Sequence, residues 1–222
     1  MSNGAKCQSL FSLNSDLFQK LLSEYTYPWG ILPHLKALIE SLVQSGIDGY
    51  SLYADGILVG CGVRIDKSAH IEAPAIIGDS TEIRHGAYLR GSVIIGCGCV
   101  IGNCSEVKNS IIMDRAQVPH FNYVGDSILG EGAHLGAGAI CSNLRSDKRE
   151  VTVRCGEDGI KTGLRKLGAI VGDNAEIGCG AVLCPGTVIG KDTTIYPLTM
   201  VRGCYPSASI VKQDGTVIKK RG

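Results

Sequence analysis

Six aliphatic residues near the C-terminal end of the chain stand six positions apart: Val171, Ile177, Leu183, Ile189, Ile195 and Val201. A helix buries residues at a period of about 3.6 and a half-buried strand at a period of about 2. Period six fits neither. It fits a coil of triangular cross-section, in which each short flat strand sends one aliphatic side chain inward and the next residues turn a corner. Hexapeptide repeats are the sequence mark of a parallel β-helix. The spacing also runs upstream through Ile65, Ile71, Ile77, Ile83, Leu89, Ile95, Ile101 and Val107. With five-residue steps it continues through Ile112, Val118, Val124, Leu129 and Leu135. Three hexads make a coil of roughly 18 residues, so residues 57–206 predict about seven coils and one insertion. The spaced aliphatics are core, and the chain is expected to be an all-β solenoid.

Composition agrees with a narrow core. Apolar residues make up 44% of the chain and aromatics only 5%, while 30 glycines supply corners where a positive φ is needed. A net charge of +1 argues against nucleic acid as a partner. No run approaches the roughly 18 apolar residues of a membrane span, and no apolar signal core follows the N-terminus. Ten cysteines occur without a C-x-x-C pair or a histidine pair at zinc spacing. They read as reduced, mostly buried thiols, with no metal site, in a cytoplasmic protein.

The ends differ from the middle. Residues 1–56 predict a helical cap with helices over 15–25 and 31–45, the second carrying Leu35, Leu38, Ile39, Leu42 and Val43 on one face and ending at Gly46. A solenoid needs its open end covered, and this segment is expected to cover it. Residues 207–222 predict a small hairpin turning at Asp214-Gly215, with a basic tip of Lys219, Lys220 and Arg221.

The ladder breaks between Cys141 and Leu167. Residues 144–166 are polar, alternate at Val151 and Val153, and read as a hairpin thrown out from the coil around a Gly-Glu-Asp-Gly turn. Insertions in repeat proteins often build the binding face. Just upstream, residues 118–138 read VPHFNYVGDSILGEGAHLGAG, where His120 and Tyr123 interrupt a run of small residues. Taken alone, His120 is either a structural or exposed histidine or a general base.

The ordered set IGNCSEVKNS, VPHFNYVGDS and GAGAICSNL resembles the acetyltransferase domain of the bifunctional enzymes that make UDP-N-acetylglucosamine. The wording SNLRSDK and GLRKLGA is similar to the archaeal-type sugar-1-phosphate nucleotidylyltransferase/acetyltransferases. The resemblance covers about residues 60–206. It implies a left-handed parallel β-helix that acetylates an amino-sugar 1-phosphate from acetyl-CoA, without a metal. By position it implies His120 as the catalytic histidine and Tyr123 as a substrate contact. Arg90 and Lys108 then hold the sugar phosphate, Asn143 and Lys148 contact the sugar, and Ala137 and Cys179 meet acetyl-CoA. His134 stands where the family has an asparagine facing the sugar, which leaves glucosamine and galactosamine both open. The family also forms trimers, which implies a homotrimer with His120 of one chain facing CoA contacts of the next and the hairpin reaching toward a neighbour. Residues 1–56 are too few to form the family's nucleotidyl-transfer domain.

Acetyl transfer to an amine needs a base for its proton, and imidazole suits that task near neutral pH. Backbone N–H groups of a Gly- and Ala-rich turn can stabilise the oxyanion. Arginine grips phosphate bidentately and lysine adds a point charge. The alternative is a non-catalytic β-helix subunit that assembles with or regulates a separate nucleotidylyltransferase. A metal-dependent hydratase would need three converging histidines, and His34, His70, His85, His120 and His134 offer no close pair.

Overall fold

The structure, a computed structural model, describes residues 2–156 and 158–220. The chain winds as a left-handed parallel β-helix whose three flat faces hold nine, nine and seven strands among the described residues. The first face opens with Ile57–Val59 and closes with Cys204–Tyr205. The second carries Gln117–His120 and His134–Leu135, and the third carries Tyr88–Arg90, Glu106–Lys108, Tyr123–Gly125 and Ile140–Cys141. Eight coil strands stack on the first face, against about seven coils expected, because after seven full coils the winding continues through Cys204–Tyr205 on the first face and Ser209–Val211 on the second.

Every spaced aliphatic from Ile77 to Val201 lies in one buried core, with Ile65 and Ile71 half-buried at its N-terminal end. Cys141 takes the place after Leu135, so the ladder runs one step further than its aliphatics. Burial pushes the Cys141 thiol up to about 12.

The first face differs from the other two in its outward row. Leu58, Ile76, Ile94, Ile111, Ile128, Ile170 and Val188 point away from the coil core, and all are buried. The N-terminal segment covers them. Helix α1 is Cys7–Leu10, α2 is Asp16–Leu22, and a 3-10 turn over Pro28–His34 leads into α3, Leu35–Ser45. Leu10, Phe18, Leu22, Trp29, Ile31, Leu35 and Ile39 share one cluster with that row. Helices α1 to α3 therefore cover a flat face and not the open end expected of them. The reason is area: an apolar row along the whole prism outweighs one exposed coil, at about 1.5–3 kcal/mol for each large side chain buried. The second helix begins four residues later than expected, because the segment holding Pro28 and Pro33 takes the tighter 3-10 form. Gly46 ends α3 at φ 75°, as read.

Two strands close the stack. Ser51–Ala54, inside the expected helical cap, pairs antiparallel with Ile57–Val59, and Val217–Lys219 pairs antiparallel with Ser209–Val211. The second is the expected C-terminal hairpin; Arg221 of its basic tip lies outside the described residues, as does Glu157 of the inserted turn. Buried Asp173 pins the N-terminal segment. Its carboxylate accepts from Ser12 N–H at 2.7 Å and Glu131 N–H at 3.0 Å, with Lys191 Nζ at 3.3 Å.

The insertion forms its hairpin, Thr152–Cys155 against Asp158–Lys161, but does not project. Val151, Val153 and Cys155 are buried in the cluster that covers the first face. The Val alternation that marks the hairpin also gives it an apolar side to lay down. Cys155 and Cys204 form a disulfide, with Cα atoms 4.9 Å apart. This corrects the reading of all ten cysteines as thiols: the partners are 49 residues apart, and only the fold-back brings them together. The other eight are free. No helix among the described residues is long and apolar enough to cross a membrane.

Candidate active site

His120 ends its strand at the corner between the second and third faces. Phe121 follows at φ 53°, in the left-handed region, and Tyr123 opens the third-face strand. Two features fix this corner. Gly102, on the preceding coil, lies against the Pro119 carbonyl so closely that any Cβ there would collide with it. Buried Asn122 ties the turn together: its Oδ1 accepts from the His120 N–H at 3.0 Å, and its Nδ2 donates to the carbonyls of Gly136 at 2.8 Å and Ala139 at 3.2 Å. All the strong bonding goes through backbone, and the imidazole is left exposed at the corner.

The register then stacks the expected acetyl-CoA contacts on His120. Asn103 pairs with it from the preceding coil, and the His120 carbonyl accepts from Gly138 N–H at 2.9 Å. Ala137 therefore sits in the next coil of the same column. Its own carbonyl accepts from Gly180 N–H at 2.8 Å, which puts Cys179 one coil further. Both Ala137 and Cys179 are exposed. Adjacent strands lie about 4.8 Å apart, so the three form a continuous edge roughly 10 Å long.

Beside this edge the third face carries a polar patch. Tyr88, Glu106, Tyr123 and Ile140 follow one another in register on its outward side. Arg90 Nη1 donates to Glu106 Oε1 at 2.6 Å, and its guanidinium lies 5.8 Å from the Tyr88 ring centre. Lys108 Nζ donates to Asp126 Oδ2 at 3.3 Å. Asn143 Nδ2 donates to the same Asp126 oxygen at 2.5 Å and to the Tyr123 hydroxyl at 3.1 Å. Burial, then the charges of Glu106 and Asp126, push the Tyr123 phenol above its ordinary value. Tyr123 therefore keeps its proton as a hydrogen-bond donor throughout the neutral range.

Four of the expected substrate residues, Arg90, Lys108, Tyr123 and Asn143, thus meet in one patch next to the His120 column. The other two do not join them within one chain. His134 lies on the second face, three residues before the corner, with Nδ1 at 2.8 Å from Glu176 Oε2. Lys148 is exposed in the first turn of the insertion at φ 57°, its N–H donating to Arg145 O at 3.0 Å. Asn122, Glu106 and Asp126 were not singled out in the sequence. Glu106 and Asp126 mean that neither expected phosphate-binding cation stands free; each already has a carboxylate. No group of three or more metal-ligating side chains is assembled among the described residues.

A profile described as the GMPPB C-terminal domain matches residues 71–162, and one described as bacterial transferase hexapeptide (six repeats) matches residues 168–203. The Bifunctional protein GlmU of Methanococcus vannielii is 33% identical over 192 residues, covering 86% of this chain and 44% of the relative. A bifunctional sugar-1-phosphate nucleotidylyltransferase/acetyltransferase of Sulfurisphaera tokodaii is 35% identical over 78% of this chain and 44% of its own length. The chain thus spans less than half the length of these relatives. The uncharacterized acetyltransferase YaiX of Escherichia coli is 33% identical over 80% of this chain and 86% of that protein. Among solved structures, PerB from Caulobacter crescentus, crystallised with CoA and GDP-perosamine, is 19% identical over 70% of this chain and 56% of its own, with a TM-score of 0.45. The chain belongs to the hexapeptide-repeat acetyltransferases. Within them it is related to the acetyltransferase portion of GlmU-type bifunctional proteins.

Proposed function

We propose that this protein transfers the acetyl group of acetyl-CoA to the amine of an amino-sugar 1-phosphate, glucosamine 1-phosphate or galactosamine 1-phosphate, toward UDP-N-acetylhexosamine synthesis in the cytoplasm. One observation carries the reading: the exposed imidazole of His120 stands in a column with exposed Ala137 and Cys179, beside the Arg90–Lys108–Tyr123–Asn143 patch. The thioester lies along the column and the acceptor on the patch. The amine lone pair attacks the thioester carbonyl while His120 takes the amine proton. The tetrahedral oxyanion collapses, the C–S bond breaks, and the departing CoA thiolate takes a proton. The Ala137 N–H donates to no group among the described residues, which makes it the candidate oxyanion donor. Tyr123 and Asn143 orient the sugar, and Arg90 and Lys108 turn from their carboxylates toward its phosphate.

One prism supplies only one wall for these ligands, since its inward positions are filled. The inserted hairpin lies against the first face, away from the His120 corner, so the second wall comes from another chain. Phe121, Leu198 and Met200 are 60%, 75% and 71% exposed on that corner and the third face, an apolar strip that suits a subunit contact. A homotrimer with three shared sites is the closed arrangement for a threefold prism. Thiol release from acetyl-CoA, measured with glucosamine 1-phosphate, galactosamine 1-phosphate and the phosphate-free sugars, tests the proposal. Turnover with the sugar phosphates and little with the free sugars is expected. No turnover with any of them would favour the non-catalytic subunit.

A further inference from the structure

The inserted hairpin folds back beside the corner of the third and first faces and leaves a cavity of about 390 Å³ there. That volume lies within the range of small-ligand sites, roughly 300–1,000 Å³. Three arginines line it, Arg145, Arg154 and Arg202, together with Ser142, Ser146 and Thr152. Asp147 is the one carboxylate in the lining, and Arg145 holds it from two nitrogens, Nε at 2.9 Å and Nη2 at 2.6 Å. Arg154 and Arg202 enter no ion pair among the described residues. The lining therefore carries an excess of two positive charges with its carboxylate already neutralised.

The backbone under these two arginines is pinned. Cys155, the residue after Arg154, is disulfide-bonded to Cys204, two residues after Arg202. Between them Gly203, at φ 92°, lies so close to the hairpin that a Cβ would stand 2.9 Å from the Arg154 carbonyl oxygen. Gly186 likewise leaves no room for a Cβ against Val151. Two arginines remote in sequence are thus carried on backbone segments held against each other. Planar guanidinium forks are suited to bidentate contact with phosphate oxygens.

We propose that this cavity binds a phosphate or diphosphate group, at a site separate from the Arg90–Lys108 patch. Ser142, at its edge, lies two ladder steps from Lys108, about 10 Å away at the usual strand spacing. The proposal does not depend on acetyl transfer and can stand or fall without it.

Titration calorimetry of the full chain at low ionic strength tests it, with inorganic phosphate, pyrophosphate and UDP as separate probes. Arg154→Gln combined with Arg202→Gln weakens binding at least tenfold, whereas Arg90→Ala combined with Lys108→Ala leaves a saturable site in place. Arg202→Lys, which keeps the charge and loses the fork, falls between, and it reports on the site should the double variant fail to fold. Tighter binding of pyrophosphate or UDP than of phosphate identifies a diphosphate ligand; equal binding identifies a single phosphate. Binding abolished by the Arg90 and Lys108 substitutions, binding indifferent to the Arg154 and Arg202 substitutions, or no saturable site below about 10 mM would each overturn the proposal.

Discussion

The first and third faces are built on the same inward ladder and do opposite things with their outward rows. On the first face the residue before each core aliphatic is itself aliphatic, as in Ile76-Ile77, Ile94-Ile95 and Ile111-Ile112, and the N-terminal helices bury it. On the third face that residue is His70, Tyr88, Glu106 or Tyr123 in the N-terminal coils and Ile140, Val182 or Met200 in the later ones, and among the described residues no helix covers the row. A β-helix thus separates stability from chemistry by one residue position. The inward row gives the coil, and the outward row decides whether a face recruits a cover or a ligand.

Substitutions on the two faces should therefore fail differently. The largest expected effect is at the corner. His120→Ala lowers kcat by about 10²- to 10⁴-fold, the loss typical of a general base, with little change in melting temperature. Turnover close to wild type would remove His120 from the mechanism. On the first face, Ile94→Ala costs about 2–5 kcal/mol in denaturant unfolding, the range for a large aliphatic cut down in a full core. The folded fraction of that variant should retain its kcat, and a parallel loss of both would erase the distinction between the faces. A smaller effect is expected at the phosphate contacts. Lys108→Ala raises KM for the sugar phosphate by about ten- to a hundredfold, as for one charge-assisted bond, and Arg90→Ala acts in the same direction. Unchanged KM in both would free the patch from that role.

The core itself is tested by alkali. Burial raises the thiols of Cys99 and Cys141 from an ordinary 9.0 to about 12. Their folded values exceed the unfolded ones, so their contribution is complete below pH 9 and is lost as pH rises toward 12. Urea midpoints should fall progressively above pH 9, and Cys99→Ala or Cys141→Ala should flatten that fall.

The ladder was legible in the sequence because each inward position repeats without regard to the rest of the chain. The C-terminal hairpin was legible for the same local reason, through Asp214-Gly215. What covers the first face depends on a second period, an apolar pair at every third hexad, which is visible only once the three faces are told apart. The Cys155–Cys204 bond depends on where an insertion lies down, and no spacing records that. At the site, His120, Tyr123 and Asn143 stood out as exceptions to the repeat or through resemblance. Asn122 and Asp126 did not, since a short polar residue at a corner is the rule, and only its burial and its partners mark it. His134 looked like a site residue from its position in the motif, yet within one chain it pairs with Glu176 along the second face, away from the third-face patch.

The central claim is that ligands engage the third-face corner and not the covered first face. Hydrogen exchange with and without acetyl-CoA and the amino-sugar phosphate measures this directly. The account predicts added protection in peptides spanning residues 119–125, 136–143 and 178–183, with helices α1 to α3 and the first-face strands unchanged. Protection concentrated in the N-terminal helices or along the first face, with the His120 corner unchanged, would contradict it.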